Sequence, residues 1–96
     1  MITKSSLPRL LESLDFRKDG NTYVKEFPHF NCSMMVDMSN ERLIYPDAIL
    51  GRERNTGFDQ NENFVVFECV HRLLKKGYRP DTIELEKVWT LGHEQK

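Results

Sequence analysis

The chain is poor in the residues that metal and redox chemistry require. It holds two cysteines, Cys32 and Cys69, and three histidines, and none of them stands in a CxxC or HExxH spacing, so a zinc site is not expected. Two cysteines allow at most one bridge. Each sits inside an element-like segment, so they read as buried free thiols of a reducing cytoplasm, with a single bridge as the open alternative. No GxGxxG or Walker A pattern occurs, which argues against nucleotide binding within these residues. The opening MITKSSLPRLL lacks a signal-peptide core, and no apolar run is long enough to span a bilayer. The expectation is a cytoplasmic protein without a membrane partner. Charge of one sign is lacking too. Net charge is −1, so no bulk field draws the chain to nucleic acid, and any such role must rest on a local patch. Internal repeats and low-complexity tracts are absent.

What is present is an ordinary globular composition. Ninety-six residues, 39% hydrophobic and 30% charged, suffice for a single domain with one modest core. The clearest signal is the stretch NENFVVFECVHRLLKKGY, residues 61–78. Phe64, Phe67, Val70 and Leu74 repeat at helical spacing, and Val66, Cys69 and Leu73 widen the stripe. Such a helix is expected to be buried against a sheet. Asp59 with Glu62 three residues on spells a capping box, and Asn61 is a second cap candidate. Gly77 fits the left-handed position past the helix end, and Pro80 forbids continuation.

The remainder is built around that helix. Leu7, Leu10, Leu11 and Leu14 share one face of a short helix, with Ser5 or Ser6 as cap and Pro8 in the first turn. Phe16 closes its apolar side. Asp19-Gly20-Asn21 is a turn. Residues 23–27, 32–38 and 42–45 read as three strands of an antiparallel meander, interrupted at residues 28–31 and joined at Ser39-Asn40-Glu41. Cys32, Met34, Val36 and Met38 fall on one face of the middle strand. Residues 46–60 are polar and read as a linker. After a turn at Arg79-Pro80-Asp81, residues 83–89 alternate as a strand. The fold class is α/β or α+β: short helix, three-stranded meander, long buried helix, then a strand. A strand that turns just before Lys96 leaves a sheet edge wanting a neighbour, so the expectation is an N-terminal fragment of a larger protein.

The run ENFVVFECVHRLLKKGYRPDTIELEKVWTLGH, residues 62–93, resembles the start of a restriction-type nuclease domain. It is similar to the N-terminal part of type I restriction-modification endonucleases (the R subunit) and of related endonuclease–DNA methylase fusions. There, a helix opens with a glutamate and ends in a leucine pair and Gly-Tyr, here Glu62, Leu73-Leu74 and Gly77-Tyr78. A strand like Ile83-Glu84-Leu85-Glu86-Lys87 and a turn like Leu91-Gly92 follow. The resemblance is good over the last third and weaker over residues 7–57. It implies an incomplete restriction-endonuclease-like, PD-(D/E)xK fold, with residues 1–57 as helix plus meander and 58–96 as the start of the nuclease core. It also implies Mg²⁺ in the intact nuclease, ATP in the parent if it is an R subunit, and double-stranded DNA and other restriction-modification subunits as partners. The family's metal-binding aspartate and Glu-x-Lys follow the Leu-Gly turn and would lie past Lys96. Only the helix glutamate carries over, onto Glu62, and the fragment is expected to be inactive.

Glu62 is thus the candidate catalytic and metal residue, because hard carboxylate oxygens suit Mg²⁺. The plainer reading, that it completes a helix cap with Asp59, stays open beside it. Glu68 reads as an i,i+4 partner of Arg72. Arg72, Lys75, Lys76 and Arg79, with His71, form the densest basic cluster and are candidate DNA-phosphate contacts, as are Arg52 and Arg54 in the linker. Cations at a helix C-terminus also complement its dipole, so a solvated face is the competing reading. Pro46-Asp47 with Glu94-Gln95-Lys96 spells the nuclease letters, but a helix and a strand intervene. Pro80-Asp81 with Glu84 to Lys87 fails because alternation turns Lys87 to the other face. Trp89 and Tyr78 read as core or core-edge residues. The alternative function is a non-catalytic docking or DNA-contact module of a restriction-modification or methylase protein.

Overall fold

A computed structural model describes residues 2–53 and 55–85. They form a mixed α+β fold in which a four-stranded antiparallel sheet carries two α-helices. Helix α1 (Leu7–Ser13) starts at Ser6 with Pro8 in its first turn. The Ser6 hydroxyl does not cap the helix. It is engaged instead with Thr3, whose backbone N–H donates to Ser6 Oγ at 2.9 Å. Leu7 and Leu11 are fully buried. Past the helix end, Phe16 N–H donates to Leu11 O at 2.9 Å and Asp15 N–H to Glu12 O at 3.1 Å. This is the Schellman arrangement, and it puts Asp15 at φ 69°, where a glycine is usual.

The sheet is a simple meander of β1 (Arg17–Asp19), β2 (Thr22–Phe27), β3 (Cys32–Asp37) and β4 (Arg42–Ile44). The sequence reading has three of these strands and omits β1. All three β1 residues are charged and exposed, so no alternation announces a strand; its pairing is dictated by the tight turn at Gly20, φ 63°. A 3-10 turn, Pro28–Phe30, separates β2 from β3 and ends at Asn31 in the left-handed region. At the next turn Asp37 Oδ1 accepts from the backbone of Ser39 and Asn40. Those bonds, led by the Asn40 side chain, hold the Asp37 carboxyl below its ordinary value. The register Tyr23↔Val36↔Leu43 sets one row of side chains facing the helices, and Arg17↔Val24↔Met35↔Ile44 sets a row on the opposite face. Tyr23, Met34, Val36 and Leu43 are buried while Ile44 is exposed, so the alternation expected for β3 is met.

Helix α2 (Asn61–Lys76) lies across the inner face. Phe64, Phe67, Val70 and Leu74, the stripe read from the spacing, are each 2% exposed or less. Phe67 packs its ring 5.9 Å from Phe16 and 5.4 Å from Tyr45, which ties α2 to the end of α1 and of β4. Full burial of a side chain of this size is worth about 1.5–3 kcal/mol. The helix ends as the sequence indicates. Gly77 adopts φ 105°, Tyr78 N–H donates to Leu73 O and Gly77 N–H to Leu74 O, both at 3.1 Å, again the Schellman pattern. Its start differs from expectation. The cap residue is Gln60 and no side chain caps it. The Asp59–Glu62 box does not form, because Asp59 folds back over Gly57, where an added Cβ would lie 2.6 Å from its Oδ1.

Residues 46–60 are a built part of the fold rather than a polar linker. Ile49 is fully buried. Leu43 N–H donates to Thr56 O at 2.7 Å and Arg42 bridges Gly57, so this loop covers the outer side of β4. Leu50 pairs in parallel with Glu84, through Leu50 N–H to Ile83 O and Leu85 N–H to Leu50 O. The chain reaches that pairing through a 3-10 turn, Pro80–Thr82. The strand expected over residues 83–89 is not formed in its described part: Glu84 makes a single bridge and Leu85 is already helical, while positions 86–89 lie outside the described residues. Both cysteines are free and half-buried, and burial pushes the Cys32 thiol up. No helix among the described residues is long and apolar enough to cross a membrane.

Candidate functional site

Helix α2 sorts the candidate residues to its two ends. At the N-terminal end Glu62 stands in the first turn with its side chain in solvent. A carboxylate there complements the positive end of the helix dipole. Its neighbour Asn63 points the other way and is 7% exposed. Asn63 Oδ1 accepts from Asn55 Nδ2 at 3.0 Å, and Asn63 Nδ2 donates to Gly57 O at 3.1 Å. Asn55 itself sits at φ 55°, and its carbonyl accepts from the Tyr45 hydroxyl at 3.2 Å. Burial, then the nearby Cys69, pushes the Tyr45 phenol far up, so it stays a donor. This network fixes loop 46–60 to the start of α2 and thereby fixes where Glu62 projects. Among the described residues, no three His, Cys, Asp or Glu side chains come together to hold a metal. A single carboxylate such as that of Glu62 is too small a ligand set for Mg²⁺, which takes about six oxygen ligands.

The basic candidates on α2, Arg72, Lys75 and Lys76, lie toward the other end, about 15–21 Å away at ~1.5 Å rise per helical residue. Several are already partnered. Arg72 Nη2 donates to both oxygens of Glu68, at 2.9 and 2.8 Å, the i,i+4 pair expected from sequence. Arg79 donates from Nε to Asp81 Oδ1 at 3.1 Å and from Nη2 to Oδ2 at 2.7 Å. That fork draws the Asp81 carboxyl down and the Arg79 guanidinium up. In the loop, Arg52 Nη1 donates to Asp47 O at 2.9 Å and Nε lies 3.8 Å from the Asp47 carboxylate. Arg54 lies outside the described residues. Lys75 and Lys76 are exposed in the last turn of α2 and make no ion pair among the described residues. They are the remaining candidates of the basic cluster without a carboxylate partner among the described residues.

Two expectations need correction. His71 does not belong to the basic surface: it is 2% exposed, its ring lodged between Phe16 at 5.6 Å and Phe27 at 5.8 Å. Position 71 follows Val70 on the wide inner face of α2, so the helical phase turns it inward while Arg72 turns out. Tyr78, read as core-edge, is 55% exposed, because the left-handed Gly77 swings the chain away from the sheet.

Past the end of α2 lies an open cleft of about 560 Å³ lined by His29, Phe30, Ala48, Gly77, Arg79, Pro80 and Asp81; neither lysine lines it. Its wall carries a T-shaped ring pair, His29 and Phe30, with centroids 5.0 Å apart. Sequence reasoning has no access to His29 and Phe30. They arrive from the turn between β2 and β3, and only tertiary packing sets them beside Arg79. The wall is aromatic, but the cleft's one guanidinium, Arg79, is already paired with Asp81, so the lining is close to charge-balanced. Compared with protein-family models, with curated proteins and with solved structures, the chain finds no match.

Proposed function

We propose that this chain is the N-terminal part of a type I restriction-like endonuclease, the R-subunit type or a nuclease–methylase fusion, that cuts double-stranded DNA in host defence. The resemblance of residues 62–93 is its basis. The supporting observation is the order of elements in residues 61–85: a buried helix with an exposed glutamate in its first turn, a left-handed Gly-Tyr exit, then an extended Ile83-Glu84 paired in parallel with Leu50. In this reading Glu62 lends one carboxylate oxygen to the edge of a Mg²⁺ site, and an aspartate and a Glu-x-Lys beyond Lys96 complete it. Water attacks the phosphodiester in the intact enzyme, and residues 1–96 alone do not cleave. ATP belongs to the parent if it is an R subunit.

The coding sequence past Lys96 tests the reading directly. An aspartate-bearing strand followed by Glu-x-Lys supports it, and their absence sinks it. Residues 1–96 incubated with duplex DNA and Mg²⁺ are expected to leave it intact. Cleavage that survives Glu62→Ala overturns the role given to Glu62.

The second reading is a non-catalytic docking or DNA-contact module of a restriction-modification or methylase protein. It is favoured by Lys75 and Lys76, exposed in the last turn of α2, without an ion pair among the described residues and remote from Glu62. Under it the chain binds duplex DNA with a log–log salt slope of about −2, near −0.9 for each of two phosphates neutralised. Lys75→Glu with Lys76→Glu flattens that slope. Binding indifferent to both salt and these changes removes the reading.

A further inference from the structure

His71 is the one buried side-chain nitrogen site among the described residues without a hydrogen-bond partner: its Nε2 is enclosed and unpaired. The ring is held from two sides. Phe16, just past α1, meets it at 37° and Phe27, at the end of β2, meets it nearly edge-on at 62°. A neutral imidazole tolerates this place at the cost of one unmade hydrogen bond. An imidazolium does not, because both its nitrogens become donors and an unpaired charge in an apolar surround carries a large desolvation penalty.

We infer that His71 is an acid-sensitive latch, which holds the C-terminal half of α2 against Phe16 and Phe27 only while its imidazole is neutral. The charged groups facing it come from every element around it. Lys25 of β2 and Lys75 of α2 oppose a positive ring; Glu68 of α2 and Asp15 past α1 favour one. Burial is the leading influence and the lysines reinforce it, so the balance lowers the imidazole's proton affinity below its ordinary value of 6.5. Two independent features therefore point the same way, the unpaired enclosed nitrogen and the pair of cations.

The sign follows from linkage. Below pH 6.5 the unfolded chain takes up a proton at His71 that the folded chain refuses. Stability is complete above that pH and falls as pH drops toward the folded-state value. Over that window the unfolding constant rises by up to about tenfold per pH unit. Asp37 and Asp81 are lowered from an ordinary value of 3.8, so their contribution is lost only at lower pH and does not confuse the range from 6.5 to 5.

The test is urea unfolding followed by far-UV circular dichroism at a series of pH values from 7.5 to 5. The natural chain is expected to lose stability through this range, and His71→Phe, which keeps a ring between Phe16 and Phe27, is expected to lose the slope. Equal slopes in the two proteins overturn the inference. A ¹H NMR titration of the His71 Hε1 proton in the natural chain decides independently of whether the variant folds. A midpoint below 6.5 supports the latch, and one at or above 6.5 refutes it.

Discussion

Asn63 and His71 lie on the same helix, both nearly inaccessible and both polar, and they are treated in opposite ways. Asn63 is met on both sides of its amide by loop 46–60, with Asn55 donating to it and Gly57 accepting from it. His71 lies against the rings of Phe16 and Phe27, and its Nε2 is unpaired. A buried polar group therefore fastens two elements only where the second element brings a complementary partner. At the N-terminal end of α2 a polar loop does so. At the C-terminal end the neighbours are Phe16 and Phe27, and apolar packing does the fastening instead. The first end is set rigidly and presents Glu62 outward; the second holds conditionally.

The largest change abolishes what the two ends share. Phe67 is 1% exposed and touches Phe16 and Tyr45. Phe67→Ala is expected to cost about 3–5 kcal/mol in urea unfolding, a large part of the ~5–15 kcal/mol of a typical domain. Asn63→Ala addresses the N-terminal end alone. It leaves the Asn55 amide and the Gly57 carbonyl unpaired, and about 1–3 kcal/mol is expected to be lost. In a double-mutant cycle with Asn55→Ala the two losses are expected to add to less than their sum, because they break one network. If Asn63→Ala proves harmless, the contrast between the ends disappears. Arg72→Ala probes the exposed side of the C-terminal half. Its pair with Glu68 lies on the surface of the helix, so a loss of only about 0.3–0.5 kcal/mol is expected, fading in high salt.

How far the sequence foretells this arrangement depends on whether the cause is local. The stripe of Phe64, Phe67, Val70 and Leu74 and the exit at Gly77 are local, and both were readable. So were the hairpin at Ser39-Asn40-Glu41 and the break at Pro28. Strand β1 was not, because Arg17, Lys18 and Asp19 carry no apolar alternation and are drawn into the sheet by their partners on β2. Residues 46–60 look like a linker by composition, yet Asn55, in its left-handed conformation, serves the buried Asn63. The letters of a capping box at Asp59 and Glu62 misled, since the carboxylate of Asp59 has a nearer neighbour in Gly57. Glu62 falls in the first turn of α2, as its place before the apolar stripe indicates, and the Glu68–Arg72 pair follows from spacing alone. The cleft joining His29 and Phe30 to Arg79 depends on tertiary packing and left no trace in the order of residues. His71 shows the limit most clearly: it was grouped with its basic neighbours by adjacency, while helical phase sends it inward.

The two margins of the sheet also differ in kind. The outer side of β4 is occupied by Thr56 and Gly57, whereas β1 ends the sheet with its backbone open on one side among the described residues. What it offers there is a short run of arginine, lysine and aspartate, all in water. A second molecule approaching to zip its own strand onto that margin must strip hydration from three ionic groups and gains no apolar contact in return. Such a border discourages stacking into fibrils along this side of the sheet.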